Sequence, residues 1–250
     1  MTFSNTLKTN LKAQYTENIV SSFYEPLLAE ADLYQRVSGY FSSAGLDLYA
    51  NGLEELAKNG GRVEFIISKE ISQQDFDKIQ AGYELKEELK ALKLSERNGR
   101  LDVKAQQQLG NLAFMIANGR ARVKVALVQK GIFHDKFGII SSGNENVFFN
   151  GSVNETYNGL NQNYESISVD KSWDESQAVQ NRINENIERF NRLWENKEEN
   201  VKVVEASELA YEEIAQYQEQ KTIDVIDTIE DDSQNVTIPP ETIAFQLYGN

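Results

Sequence analysis

The chain predicts an α/β fold, a mixed, largely parallel central sheet flanked by helices, with a helical insertion around residues 71–119. Three observations carry this expectation: a strand–helix–strand order near the amino terminus, a run of closely spaced β-branched and aromatic strands after residue 120, and one long amphipathic helix near residue 180. Residues 1–35 read as a helical lead-in, with Leu7, Leu11, Ile19, Phe23 and Leu27 at helical spacing and Pro26 interrupting it. RVSGYFSS at 36–43 reads as a strand. Leu46, Tyr49, Leu53 and Leu56 follow at spacings of three and four, and Asn59-Gly60-Gly61 ends that helix before the strand RVEFIIS at 62–68. A right-handed crossover then makes the two strands parallel neighbours.

Residues 71–119 carry two apolar stripes, Leu85, Leu89 and Leu92, then Leu109, Leu112, Met115 and Ile116. They predict a helical hairpin linked near Asn98-Gly99, serving as a lid, a dimer contact or a structural cover. Strands are expected at about 122–129, 132–140, 146–151 and 165–170. In 172–196, Ser172 and Glu175 have capping-box spacing, and Val179, Ile183, Ile187, Phe190 and Trp194 share one face. A short strand at 201–204 and a helix at about 207–218 close the domain, 1–218. Residues 219–250 are expected to be an acidic linker or docking tail, and their apolar end, IAFQLYGN, suggests a further domain beyond it.

The net charge of −14 is unevenly spread. Residues 201–250 hold eleven acidic residues against Lys202 and Lys221, whereas residues 103–134 hold Lys104, Arg120, Arg122, Lys124 and Lys130 and no acid. On a strand, Arg120, Arg122 and Lys124 alternate into a basic stripe leading towards residue 134, either a solvated edge or a phosphate-tracking surface. Without cysteine there are no disulfides, thiol nucleophiles or thiolate metal sites. No run approaches the roughly 18 apolar residues that span a bilayer, so a soluble, cytoplasmic protein without membrane contact is expected.

The single histidine, His134, stands two residues before Lys136. On a strand both side chains would share a face, pairing an imidazole able to attack phosphorus or move a proton with an ammonium able to neutralise phosphate oxygens. A lone His on an apolar strand is otherwise a satisfied, half-buried residue. Gly151, Ser152 and Asn154 follow in GSVN, and Glu165 in NYESISV.

These residues resemble the phospholipase D superfamily, in particular its single-motif nuclease branch, whose signature is His-x-Lys, an Asp five residues later, Gly-Ser-x-Asn, and an acidic residue on the next strand. The Asp position here is Ser141. SGYFSSAGL also resembles the start of phospholipase D-like domains joined to helicases in restriction and defence proteins. The resemblance implies a phosphodiesterase cleaving DNA without metal or cofactor. It assigns catalysis to His134, Lys136, Ser152, Asn154 and Glu165, with Gly151 beside the substrate; Arg120, Arg122 and Lys124, taken from the basic stripe, are expected to contact substrate as well. It also implies a phosphohistidine intermediate, a homodimer because two imidazoles are needed and each chain has one, and a helicase or recognition domain as possible partner. Two alternatives remain: phospholipid hydrolysis, and a weakened nucleic-acid-binding or dimerisation module.

Overall fold

The computed structural model describes residues 2–94, 103–129 and 131–215. Among these described residues, eight strands form one mixed sheet in the order β1-β7-β6-β5-β2-β3-β4-β8. At its centre β2 (Leu33–Ser38), β3 (Arg62–Ser68) and β4 (Ala121–Leu127) run parallel. They are almost wholly buried, as strands covered on both faces must be. The remaining strands, β5 (Phe137–Ser142), β6 (Glu145–Gly151), β7 (Ile167–Lys171), the short β1 (Gln14–Tyr15) and β8 (Lys202–Glu205), pair antiparallel with their neighbours. The α/β assignment therefore holds, with a parallel core and antiparallel flanks.

Two crossovers build that core. Between β2 and β3 lie α1 (Ser43–Asp47) and α2 (Ala50–Lys58), which bury Leu46, Leu53 and Leu56. Gly60, at φ 82°, releases the chain into β3. Between β3 and β4 lie α3 (Gln73–Leu94) and α4 (Val103–Ala117). Phe76, Ile79, Leu112, Met115 and Ile116 from this pair join the main core, so the inserted hairpin is itself the crossover and covers one face of the sheet. Its link near Asn98-Gly99 and the side chains of Leu89, Leu92 and Leu109 lie outside the described residues, as does the acidic tail. The opposite face is covered by α5 (Gln177–Trp194), whose Ile183, Phe190 and Leu193 pack on Val37, Ile66 and Phe137.

Several boundaries differ from the sequence reading, each for a local reason. The lead-in is broken into a six-residue helix, Asn5–Asn10, strand β1, and a π-helical turn at Val20–Tyr24 running into Glu25–Ala29. The 36–43 strand is β2 and stops at Ser38, because Ser38 Oγ donates to the Tyr40 carbonyl at 2.6 Å and turns the chain. Ser172 caps no helix: its hydroxyl accepts from the Asn146 amide at 2.9 Å, and the helix begins after Ser176. Among the described residues, no helix is long and apolar enough to cross a membrane.

Candidate active site

His134 stands at the carboxyl ends of the parallel strands, where ligand sites of open α/β sheets form. It is not on a strand. β5 begins at Phe137, opposite Val37 near the carboxyl end of β2. Beyond that pair, β2 turns away through Ser38–Tyr40, and residues 132–136 lose their ladder partner on that side. One bond remains on the other, from the Gly151 amide to the Lys136 carbonyl at 3.4 Å. Side chains fix the segment instead. Phe133 is buried beneath it, the Asp135 carboxylate accepts the Lys136 amide at 3.0 Å, and Arg189 of α5 forms an ion pair with Asp135 while lying over the Phe137 ring.

This clamp leaves the His134 ring exposed and brings the Lys136 ammonium to 3.0 Å from Nε2 and 3.2 Å from Nδ1. A Cβ on Gly39 would sit 3.0 Å from the His134 Cα and Cδ2, so the imidazole packs tightly on the Gly39 backbone and a side chain there would displace it by a few tenths of an ångström. Tyr40 meets the same ring edge to face, 5.6 Å between centroids. Gly138 leaves no room for substrate: the Phe149 ring fills the space above it.

The GSVN turn is pinned to the same corner. Asn154 Oδ1 accepts the Tyr40 amide at 3.1 Å, which leaves the Asn154 amide hydrogens to act as donors. The Ser152 amide donates to the Ser166 carbonyl, and Ser152 Oγ accepts the Ser166 amide, both at 3.0 Å. Ser152 therefore ties β6 to the approach of β7 and retains only its hydroxyl proton to offer. Gly151 is required by crowding, because a Cβ there would collide with the Ser166 carbonyl oxygen. Gly151→Ala is expected to destabilise the fold by about 1–3 kcal/mol through forced backbone displacement, measured by urea denaturation, and to misplace Ser152.

Glu165 lies just outside β7, and its Oε1 accepts from Asn163 Nδ2 at 3.2 Å. Its charge reaches Lys136 rather than forming a hydrogen bond to the imidazole. Burial, and then the nearby Arg36 charge, hold the Lys136 ammonium below the ordinary lysine range; Glu165 and Asp135 oppose that shift.

Beneath the site is a buried ion pair that the sequence reading missed. Arg36 of β2 is 1% exposed and Glu155, which follows Asn154, is 0% exposed. Arg36 Nε donates to Glu155 Oε2 at 2.6 Å, and its Nη2 donates to the Val153 carbonyl at 2.6 Å. Tyr49 donates to Glu155 Oε1 at 2.6 Å and Tyr34 to Oε2 at 3.3 Å. Burial, reinforced by the Glu155 carboxylate, pushes both phenols well above their ordinary values, so they remain donors. The Glu155 amide also donates to Ser38 Oγ at 2.9 Å. A charge inside the apolar strand LYQRVS was the available signal, because a buried Arg demands a partner.

The basic stripe does not lead to His134. Arg120 precedes β4, six residues and about 20 Å along the strand direction from the end that carries His134. It donates to the Gly60 carbonyl instead. Arg122 and Lys124 pair with Glu205 of β8 and lie over the Trp194 ring. Ser141 is also remote: it pairs with Leu33 at the opposite end of β2 and donates to Asn146 Oδ1 at 2.7 Å. Among the described residues, no group of three His, Asp or Glu side chains converges as a metal cage.

The model of the family described as "Cardiolipin synthase, PLD-like domain" matches residues 27–194, two thirds of the chain, including every motif residue from His134 to Glu165. Among solved structures, the chain is similar to NucT from Helicobacter pylori (12% identity, TM-score 0.44, covering 76% of this chain and 97% of that one). It is also similar to Nuc from Salmonella typhimurium, a phospholipase D family member (16%, 0.41, 77% and 95%), and to polyphosphate kinase from Porphyromonas gingivalis (10%, 0.46, 78% and 24%). No curated protein matches. Across the matched residues the chain belongs to the phospholipase D-like domain family and is a phosphodiesterase.

Proposed function

We propose that this chain is a metal-independent nuclease that cleaves DNA through a phosphohistidine intermediate in an active site shared by two copies. The observation that carries the proposal is the exposed His134 imidazole with Lys136 Nζ at 3.0 Å, at the corner where the Ser152 and Asn154 turn ends. In the mechanism, a neutral His134 nitrogen attacks phosphorus. As the N–P bond forms, the bond from phosphorus to the leaving oxygen breaks, and that oxygen takes a proton from the imidazolium of the second copy. The same imidazole then removes a proton from water. The resulting hydroxide displaces His134 and releases the phosphate end.

Lys136, Asn154 and the Ser152 hydroxyl supply hydrogens to the non-bridging oxygens, where charge accumulates. Arg36 adds fixed positive potential below Lys136, largely balanced by Glu155. The homodimer follows from counting: attack and leaving-group protonation need two imidazoles, and the chain has one. Ser141 supports an active rather than a weakened site, because its side chain is at the far end of β5. The likeness of SGYFSSAGL to domains joined to helicases supports a role beside an ATPase or recognition domain in restriction or phage defence.

The test is cleavage of plasmid and oligonucleotide DNA by the purified chain in excess EDTA. Cleavage that persists and is absent from His134→Ala supports the assignment; equal nicking by that variant identifies a contaminant and ends it. Lys136 predicts the pH profile. Its ammonium is present, and the rate sustained, below its pKa; deprotonation removes a phosphate ligand above it. Since that pKa is lowered, the alkaline limb is expected below the ordinary lysine value of 10.5. Lys136→Arg, which stays charged, is expected to lower the rate but move that limb upward. A limb left in place assigns it to another group.

A further inference from the structure

Among the described residues, the exposed large ring-bearing side chains are three tyrosines, Tyr40 (39% exposed), Tyr157 (41%) and Tyr164 (84%). Tyr40 and Tyr157 line the cleft beside the site, and Tyr164 adjoins it in the chain through Glu165, whose charge reaches Lys136. Tyr40 meets the His134 ring edge to face. Tyr157 shares with Tyr40 and Asn154 a shallow cleft of about 330 Å³, and its amide donates to Ser42 Oγ at 3.4 Å. Tyr164 directly precedes Glu165 and stands two residues from Ser166, which is bonded to Ser152. The other aromatic side chains of the described core are packed inside it, so the exposed rings belong to the segments that build one corner, Tyr40 after β2 and Tyr157 and Tyr164 between β6 and β7.

On this observation, and resting on the nuclease reading above, we infer that the site takes single-stranded nucleic acid, with unpaired bases stacked on Tyr157 and Tyr164 while one phosphodiester reaches His134. An exposed phenol ring offers a flat π face, which an unpaired base can cover and a base inside a duplex cannot, because its faces are already stacked. A duplex would be held chiefly by cations along its backbone. The cations that could have formed such a track, Arg122 and Lys124, are ion-paired with Glu205 and lie over the Trp194 ring, and Arg120 stands at the other end of the sheet. At the rim, Lys136 supplies one charge for the reacting phosphate, and the rings supply area for the bases on either side of it.

The test uses the full chain carrying His134→Ala, to prevent turnover, and three fluorescent probes: a single-stranded 12-mer, its duplex, and an abasic strand of equal length. The single strand is expected to bind more tightly than either of the others. Tyr157→Ala and Tyr164→Ala are each expected to weaken it by about fivefold to a hundredfold and to leave the abasic strand unchanged. Tyr→Phe at either position keeps the ring and is expected to keep the binding. Equal weakening of the abasic strand, tighter binding of the duplex, or conversion of the Ala variants to monomers in sedimentation overturns the inference; the last places the tyrosines between subunits. If the wild-type chain cleaves no nucleic acid at all, the nuclease reading fails. If it cleaves, and the tyrosine variants cleave and bind as well as it does, the stacking inference alone fails.

Discussion

His134→Ala is expected to reduce phosphodiester cleavage by a factor on the order of 10⁴ or more, because in the proposed mechanism this one side chain provides both nucleophile and proton carrier. The form of the loss discriminates further. If each reaction uses the imidazoles of two copies, a mixed dimer of one wild-type and one His134→Ala subunit has a nucleophile and no proton donor, or the reverse. Random pairing of equal amounts then leaves about one quarter of the dimers with both imidazoles, where independent subunits would retain about half the activity. Co-expression with two different affinity tags, followed by assay of the isolated mixed dimer, measures this directly. A mixed dimer with half of the wild-type rate would show that one imidazole suffices and that the shared site is wrong. The fold should be unaffected, since the ring is exposed and its neighbours Phe133 and Asp135 do the anchoring.

Arg36→Ala, or Glu155→Ala, is expected to cost about 3–5 kcal/mol of stability, since either leaves an uncompensated charge in a site that water does not reach. That is a large part of the roughly 5–15 kcal/mol that holds a typical domain folded. The effect should propagate to chemistry. Arg36 holds the Val153 carbonyl and the Glu155 amide holds Ser38, so Asn154 is fixed from both sides by groups that the pair organises. Urea denaturation of both single variants and of an Arg36→Met/Glu155→Leu double variant checks the origin of the loss. If the penalty is the stranded charge, the double variant should be more stable than either single one. A double variant as unstable as the sum of the two would point instead to the lost bonds to Val153, Tyr34 and Tyr49.

What was legible in the chain was whatever depends on local pattern. The strand at 62–68 was read to the residue, since RVEFIIS is β-branched and bounded by Gly-Gly. The α5 helix followed from its apolar spacing, and the alternation of helical and extended segments was enough for an α/β sheet. His134 was misread as part of a strand because periodicity continues through Ile132–Ile140. What ends the strand is the turn of β2 at Ser38, a hundred residues earlier. Of the stripe Arg120, Arg122 and Lys124, the last two do alternate on β4, but they form no surface leading to the site, because strand order placed β8 and its Glu205 beside them.

By itself, then, the sequence determined which groups are available to the proposed chemistry and how many there are: one His-x-Lys, one Gly-Ser-x-Asn and no second histidine, which is information carried by residue identity and short spacing. Only the tertiary structure decided which charges serve that chemistry. Arg36 and Glu155 are 119 residues apart and meet in the core, while Tyr40 and Tyr157, far apart in the chain, line one cleft beside Asn154. The physical reason is that a charge or a ring acts over a few ångströms of space. Which distant residues come within those few ångströms is set by sheet order and register, and neither is written in the spacing of any one segment.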